Sequence, residues 1–148
     1  SLYTQNSQAA LEWTTQGIQQ FVLSPEDDSE NIYSLIEQLG SAAMVPVYQH
    51  TPLMISATRP ETSGSELTDR SRRVFNIDSS GQDFVLTSQT PFSLTNHLDE
   101  LKAHGARCFR IDLSYGIHSP SDATNLVNRI TSGLAVSGKI GNFLRGSQ

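Results

Sequence analysis

Residues 18–48, IQQFVLSPEDDSENIYSLIEQLGSAAMVPVY, decide the fold. Ile18 to Leu23 is a short run with aromatic and β-branched side chains, the make-up of a buried strand. Ser24-Pro25 ends it, because proline has no N–H to give to a ladder. Asp27, Asp28 and Ser29 then supply side-chain oxygens for the free N–H groups of a helix start. Ile32, Leu35, Ile36 and Leu39 recur at i, i+3, i+4 and i+7, one apolar stripe on a helix that Gly40 closes. Met44 to Tyr48 (MVPVY) is apolar again and reads as a second strand. A strand–helix–strand run of this length is a βαβ unit, with parallel strands and a right-handed crossover.

Upstream, Leu2 and Tyr3 read as the end of a strand and Asn6 as the N-cap of a helix whose apolar residues are Ala9, Ala10, Leu11 and Trp13, with Gly17 as its stop. Downstream, Leu53 to Ser56 reads as a strand, and the polar stretch 57–72, with its Pro, Gly and Ser, as a surface loop. Val74 to Ile77 and Phe84 to Thr87 read as a hairpin about Ser79-Ser80-Gly81. Ser93 or Thr95 is expected to cap a helix carrying Leu94, Leu98 and Leu101 and stopped by Gly105. Cys108 to Leu113 reads as a strand. Ser119-Pro120-Ser121-Asp122 is a helix start with proline at the first position and an acid two residues on, followed by Ala123, Leu126, Val127, Ile130 and Leu134. Residues 138–148 form a Gly-rich, irregular tail.

The result is a single α/β domain over residues 1–148, its βα units interrupted by a β-hairpin excursion near 73–87. A closed (β/α)₈ barrel takes about 200 residues or more. The chain of 148 residues therefore reads as part of such a barrel, a half TIM-barrel-like set of βα units, or as a small open α/β domain. A half-barrel leaves an edge and apolar lining uncovered, so self-association or a missing barrel half is expected.

Charge and cysteine content exclude several function classes. Lys plus Arg is 10 and Asp plus Glu 15, a net charge of −5, which argues against a dedicated nucleic-acid surface. One cysteine, Cys108, excludes an internal disulfide framework and any zinc or iron–sulfur site built from this chain's thiolates alone. No apolar run approaches the roughly 18 residues of a membrane span, and no leader pattern is visible, so the expectation is a cytoplasmic chain with no membrane partner. Ser1 in place of an initiator Met suggests a processed chain or a piece of a longer one. No Gly-x-Ser-x-Gly, His-Glu-x-x-His or phosphate-loop pattern occurs.

Several segments, taken in order, resemble the collagenase-like U-32 peptidase family. They are Leu2-Tyr3-Thr4-Gln5-Asn6, Phe21-Val22-Leu23-Ser24-Pro25-Glu26, Val47 to Ser56, Phe92-Ser93-Leu94 with His97 to Leu101, Arg110-Ile111-Asp112-Leu113, and Gly141 to Gly146. The resemblance covers nearly the whole chain and corresponds to the C-terminal part of the family's barrel-like domain. It implies a peptidase, or, by other members, an oxygen-independent hydroxylation factor acting on RNA bases or on a quinone precursor. Those members hold an iron–sulfur cluster on four cysteines. Here Arg59 stands at about the place of one and Ile77-Asp78-Ser79-Ser80 where another falls, while Cys108 matches neither. The resemblance thus implies a substrate- or partner-binding domain with no cofactor of its own, an iron–sulfur cluster entering only if absent sequence supplies it. The alternative is a fragment of an active peptidase, or of an RNA- or quinone-modifying factor, with its other groups on absent sequence. The partner would be the peptide or RNA substrate of the longer protein.

The candidate site residues follow from strand ends, where α/β folds place their ligands. Glu26 follows the first strand of the βαβ unit and is a candidate general acid/base; it equally suits a capping turn at a helix start. His50, with Tyr48, ends the next strand and is a candidate base, or a histidine in a turn before Pro52. Arg110 and Asp112 alternate with Phe109 and Ile111, so they share one strand face as a ligand-binding pair or a structural ion pair. Arg59 and Arg145 complete the binding set, Arg145 reaching in from the tail unless the tail frays. Arg70, Arg72 and Arg73 form a basic cluster that reads as a phosphate contact or as a solvated edge.

Overall fold

The computed structural model describes residues 3–4, 6–58, 64–80, 83–117 and 119–145. Along these run β1 (Tyr3–Thr4), α1 (Ser7–Thr15), β2 (Phe21–Leu23), α2 (Ser29–Leu39), β3 (Ala43–Gln49), β4 (Pro52–Ser56), β5 (Glu66–Thr68), β6 (Val74–Ser80), β7 (Asp83–Ser88), β8 (Phe92–Ser93), α3 (Leu98–Ala103), β9 (Cys108–Ile111) and α4 (Pro120–Thr131). The βαβ unit read from residues 18–48 is present: β2 and β3 are parallel, with Phe21 opposite Ala43 and Val22 opposite Met44. β1 adds to β2 and β9 to β3, both parallel.

The carbonyls of β3 show where the remaining strand lies. Val47 O accepts from Leu94 N and Tyr48 O from Asp112 N, each at 2.9 Å. Successive carbonyls along a strand point to opposite sides. β8 therefore lies on the β2 side of β3, antiparallel at its C-terminal end (Tyr48 opposite Ser93), and β9 on the other. The parallel strands thus stand in the order β1-β2-β3-β9, each next to its predecessor. Between β3 and β8 the chain leaves to build a second, antiparallel sheet in the order β4-β7-β6-β5. The fold is mixed α/β, and the described strands do not close into a barrel.

One core lies between the parallel sheet and its helices. Leu23, Ala43, Val45 and Val47 face Ile32, Leu35 and Ile36 of α2 and Leu101 of α3, with Phe143 of the tail sealing the edge. The helix caps are those the sequence spells. Asn6 Oδ1 accepts from Ala9 N at 2.8 Å, Asp28 Oδ1 from Asn31 N at 2.9 Å, and Ser119 Oγ from Asp122 N at 3.1 Å with Pro120 next to it.

Several readings need correction. The strand read from Ile18 starts only at Phe21, with Ile18 40 % exposed, and Ser79 and Ser80, read in the hairpin turn, pair with Phe84 and Asp83 in the ladder, while Gly81 lies outside the described residues. α1 has no apolar stripe: Ala10 is buried, whereas Leu11 is 68 % exposed. At about 100° per residue, Leu11 lies some 200° from Ala9, so no face can bury both. The stretch 57–72 is not all loop, since Glu66–Thr68 pairs with β6; three residues are too few to show alternation in a sequence. Neither Ser93 nor Thr95 caps α3. Ser93 lies in β8, and both hydroxyls donate to Val136 O, at 2.7 and 3.1 Å. The tail is irregular, as read, and the alternative of a frayed end does not hold through Arg145: Phe143 is 1 % exposed, Ser93 N donates to Lys139 O and Lys139 N to Pro91 O. The approach is so close that a Cβ on Gly138 would sit 2.5 Å from the Ser93 Cβ.

Candidate binding cleft at the strand ends

β2 and β3 end on the same side of the parallel sheet, and the antiparallel sheet folds back over that end. Between them lies a cleft of about 510 Å³. Pro25 and Glu26 line it from the end of β2, Thr51 and Leu53 from the β3–β4 connection, and Arg73, Val74 and Phe75 from β6 and its turn. Ser88, Gln89, Thr90 and Phe92 line it from β7 and β8, and Lys139 and Gly141 from the tail. Asn142 Nδ2 donates to Glu26 O at 2.8 Å, so the tail is tied to the Glu26 turn. A Cβ at Gly141, where φ is +60°, would lie 2.8 Å from Pro25 O, and glycine permits this approach.

Three charged side chains reach the cleft and their commitments differ. Arg73 is bound to Asp69, with Nε and one terminal nitrogen each 2.8 Å from Asp69 Oδ2. Bonds from the Arg73 main chain, then its side chain and Ser71, hold the Asp69 carboxyl below its ordinary range against a smaller opposing effect of desolvation. Lys139 Nζ has a 3.4 Å bond to Ser88 Oγ. The exposed Glu26 carboxylate makes no hydrogen bond or ion pair with any described residue. Glu26 and Lys139 thus share one cleft without pairing with each other.

His50 stands behind this wall rather than in it. It is 8 % exposed, and Nδ1 lies 3.0 Å from Ser88 O. A carbonyl only accepts, so in the neutral ring Nδ1 carries the proton and Nε2 accepts from the Tyr48 hydroxyl at 3.4 Å. Burial raises the pKa of Tyr48, which keeps that hydroxyl protonated as a donor. The ring is pressed against Gly116, where a Cβ would come within 2.4 Å of it. Both ring nitrogens are therefore engaged, and no Glu26–His50 acid–base pair is assembled.

Arg110 and Asp112 pair with each other at 2.7 Å along one strand face, half-buried, while Phe109 and Ile111 pack on the core. Desolvation acts to raise the Asp112 pKa, but bonds from Ser114 and Arg110 outweigh it and hold the carboxyl below its ordinary value. Arg145 is exposed and does not line the cleft. Arg59 lies outside the described residues. Lys139, Thr51, Phe75 and Phe92 line the cleft without having stood out in the sequence. The signal for Phe92 and Lys139 is their place on chain segments that return to the β3 end.

Cys108 sits at the start of β9, opposite Met44 and so at the far end of the strands from the cleft, with Sγ 3.5 Å from Ser41 O. One thiolate does not fit an iron–sulfur cluster, which takes four ligands. Among the described residues no group of three or more His, Cys, Asp or Glu could hold a metal ion, and no helix is long and apolar enough to cross a membrane. No family model, no curated protein and no solved structure matches this chain.

Proposed function

We propose that this chain is a U-32 peptidase-like domain that binds a peptide in the strand-end cleft. The observation that carries the reading is the Glu26 carboxylate and Lys139 ammonium, neither in an ion pair with a described residue, lining one cleft with an apolar wall of Leu53, Phe75 and Phe92. A ligand complementary to that lining has an ammonium, a carboxylate and apolar side chains. A short peptide with free ends has all three. A polyanion such as RNA does not suit a wall carrying Glu26 on a chain of net charge −5. Tyr48, His50 and the Arg110–Asp112 pair then act as the rigid support of the cleft. The outer edges of β1 and β9 are the seams at which a missing barrel half, or a second copy, would continue the sheet.

The test is calorimetric titration with trileucine, free at both ends, against its acetylated and amidated form. The free peptide binds and the capped one binds about ten-fold or more weakly, since a hydrogen bond to a charged group is worth about 1.5–3 kcal/mol. Glu26→Gln and Lys139→Met each remove the preference for one free end. Equal binding of both peptides, or none, overturns the reading. A second reading, an active peptidase fragment, draws on the open Glu26 carboxylate as a general base. Glu26→Ala in the longer protein would then abolish hydrolysis without lowering Tm, whereas unchanged turnover would end that reading.

A further inference from the structure

β4 is an outer strand of the antiparallel sheet: it pairs with β7, and no described strand lies on its other side. Half of its main-chain N–H and C=O groups therefore face outward. Folded domains ordinarily guard such an edge with lysine, proline, a bulge or an inward charge. This one, Pro52-Leu53-Met54-Ile55-Ser56, has proline only at its first position and carries no charge, which leaves Met54 to Ser56 as its open stretch. Leu53, Met54 and Ile55 are 55 %, 50 % and 62 % exposed, and successive strand side chains alternate, so both faces of the edge are apolar. The ladder shifts between Pro52 opposite Thr87 and Met54 opposite Leu86, which leaves Leu53 as the extra residue of a bulge. Leu53 also lines the Glu26 cleft. The edge and the cleft are one continuous surface.

We infer that an extended peptide with alternating apolar side chains adds to β4 as a further strand of this sheet, its amino end seated at the Glu26 carboxylate. The proposal rests on the peptide-binding reading above and specifies the binding mode. Area and charge choose the occupant. The three side chains expose on the order of 300 Å², far below the ~800 Å² per partner of a stable dimer, so the edge suits one narrow strand better than a second globular copy. A single added strand draws its affinity from main-chain bonds and its register from alternate side chains. The Glu26 carboxylate lines the same cleft as Thr51 and Leu53, at the start of β4, and complements an amino terminus.

Fluorescence anisotropy of a dye-labelled peptide of about eight residues, alternating valine and threonine with a free amino end, tests this against trileucine. The longer peptide binds about ten-fold tighter. N-methylation of every second amide removes the gain in one register and spares it in the other. Ile55→Lys and Met54→Lys, both at exposed positions, remove the gain and leave trileucine binding unchanged. If trileucine binds and the longer peptide gains nothing, or N-methylation acts alike in both registers, strand addition is overturned while the cleft reading stands. If neither peptide binds, both fall. A dimer in sedimentation that Ile55→Lys dissolves and the peptide does not displace assigns the edge to a second copy instead and overturns the proposal.

Discussion

The two sheets use the same kinds of residue and treat them in opposite ways. In β3, Val45 and Val47 are fully buried; in β4, a few residues further on, Leu53 and Ile55 are more than half exposed. The difference is what lies against them. α2 and α3 supply Ile32, Leu35, Ile36 and Leu101 to the parallel sheet, whereas β4 is an outer strand with neither face covered. Apolar composition marks both strands as strands, but tertiary cover alone makes one a core and leaves the other available for contact. The parallel sheet holds the helix-covered core, and the antiparallel sheet leaves its β4 edge open and lines one wall of the cleft.

The largest expected effect would break this division if it failed. Leu35→Ala should cost about 3 kcal/mol, within the ~2–5 kcal/mol range of core truncations, while Met54→Ala should cost under about 0.5 kcal/mol. Urea unfolding of both variants measures it. Similar losses at the two positions would mean that β4 is covered in the native protein and that the edge is not open.

Gly116→Ala comes next. Its new Cβ would meet the His50 ring at 2.4 Å, at a position whose φ is +71°. Both overpacking and a left-handed backbone cost stability, about 2 kcal/mol together. The His50 ring is fixed between Ser88 and Tyr48, so it cannot yield freely. The cleft wall should loosen with it, and trileucine should bind less tightly than to the wild type. Unchanged melting would show that the Tyr48–His50–Ser88 support is not a rigid backing.

The sequence makes the parallel half readable because its signals are local. The stripe Ile32, Leu35, Ile36, Leu39 and the caps at Asp28 and Ser119 each lie within one or two helical turns, and all hold. Glu26 could be placed at a strand end for the same reason. The cleft could not be assembled, because it gathers Glu26, Thr51, Phe75, Phe92 and Lys139 from segments far apart in the chain. Nor could the sequence tell that His50 spends both ring nitrogens on Ser88 and Tyr48, or that Arg110 closes on Asp112 along its own strand. β5 is not legible in the sequence because its pairing rests on β6 rather than on any pattern of its own.

Asp112 gives a pH-dependent test on the parallel side. Its carboxyl titrates lower in the fold than in the unfolded chain. Its contribution is complete above the unfolded value of about 3.9 and drains away as pH falls through the lower folded value. Thermal melting of Asp112→Asn against the wild type should show a stability difference that is largest near neutrality and shrinks below about pH 4. A difference that grows on acidification would reverse the sign of the Arg110 and Ser114 interactions.

The smallest effect lies in the antiparallel sheet and runs the other way. Arg72 has φ +63°, the one described residue other than glycine in the left-handed region. It closes the β5–β6 turn, where Arg72 N donates to Asp69 O at 3.0 Å and Asp69 N to Arg73 O at 2.9 Å. A left-handed backbone costs a residue with a Cβ roughly 1–2 kcal/mol, and glycine avoids that cost while losing more chain entropy on folding. Arg72→Gly should therefore stabilise the protein by about 0.5 kcal/mol, a rise of a degree or two in Tm. The Arg72 side chain does not line the cleft, so peptide affinity should hold. A fall in Tm would show that the Arg72 side chain contributes more than its backbone costs. A fall in affinity with Tm raised would show that the strain at this turn sets the position of Arg73 on the cleft wall, and would place part of the recognition in the geometry of the turn itself.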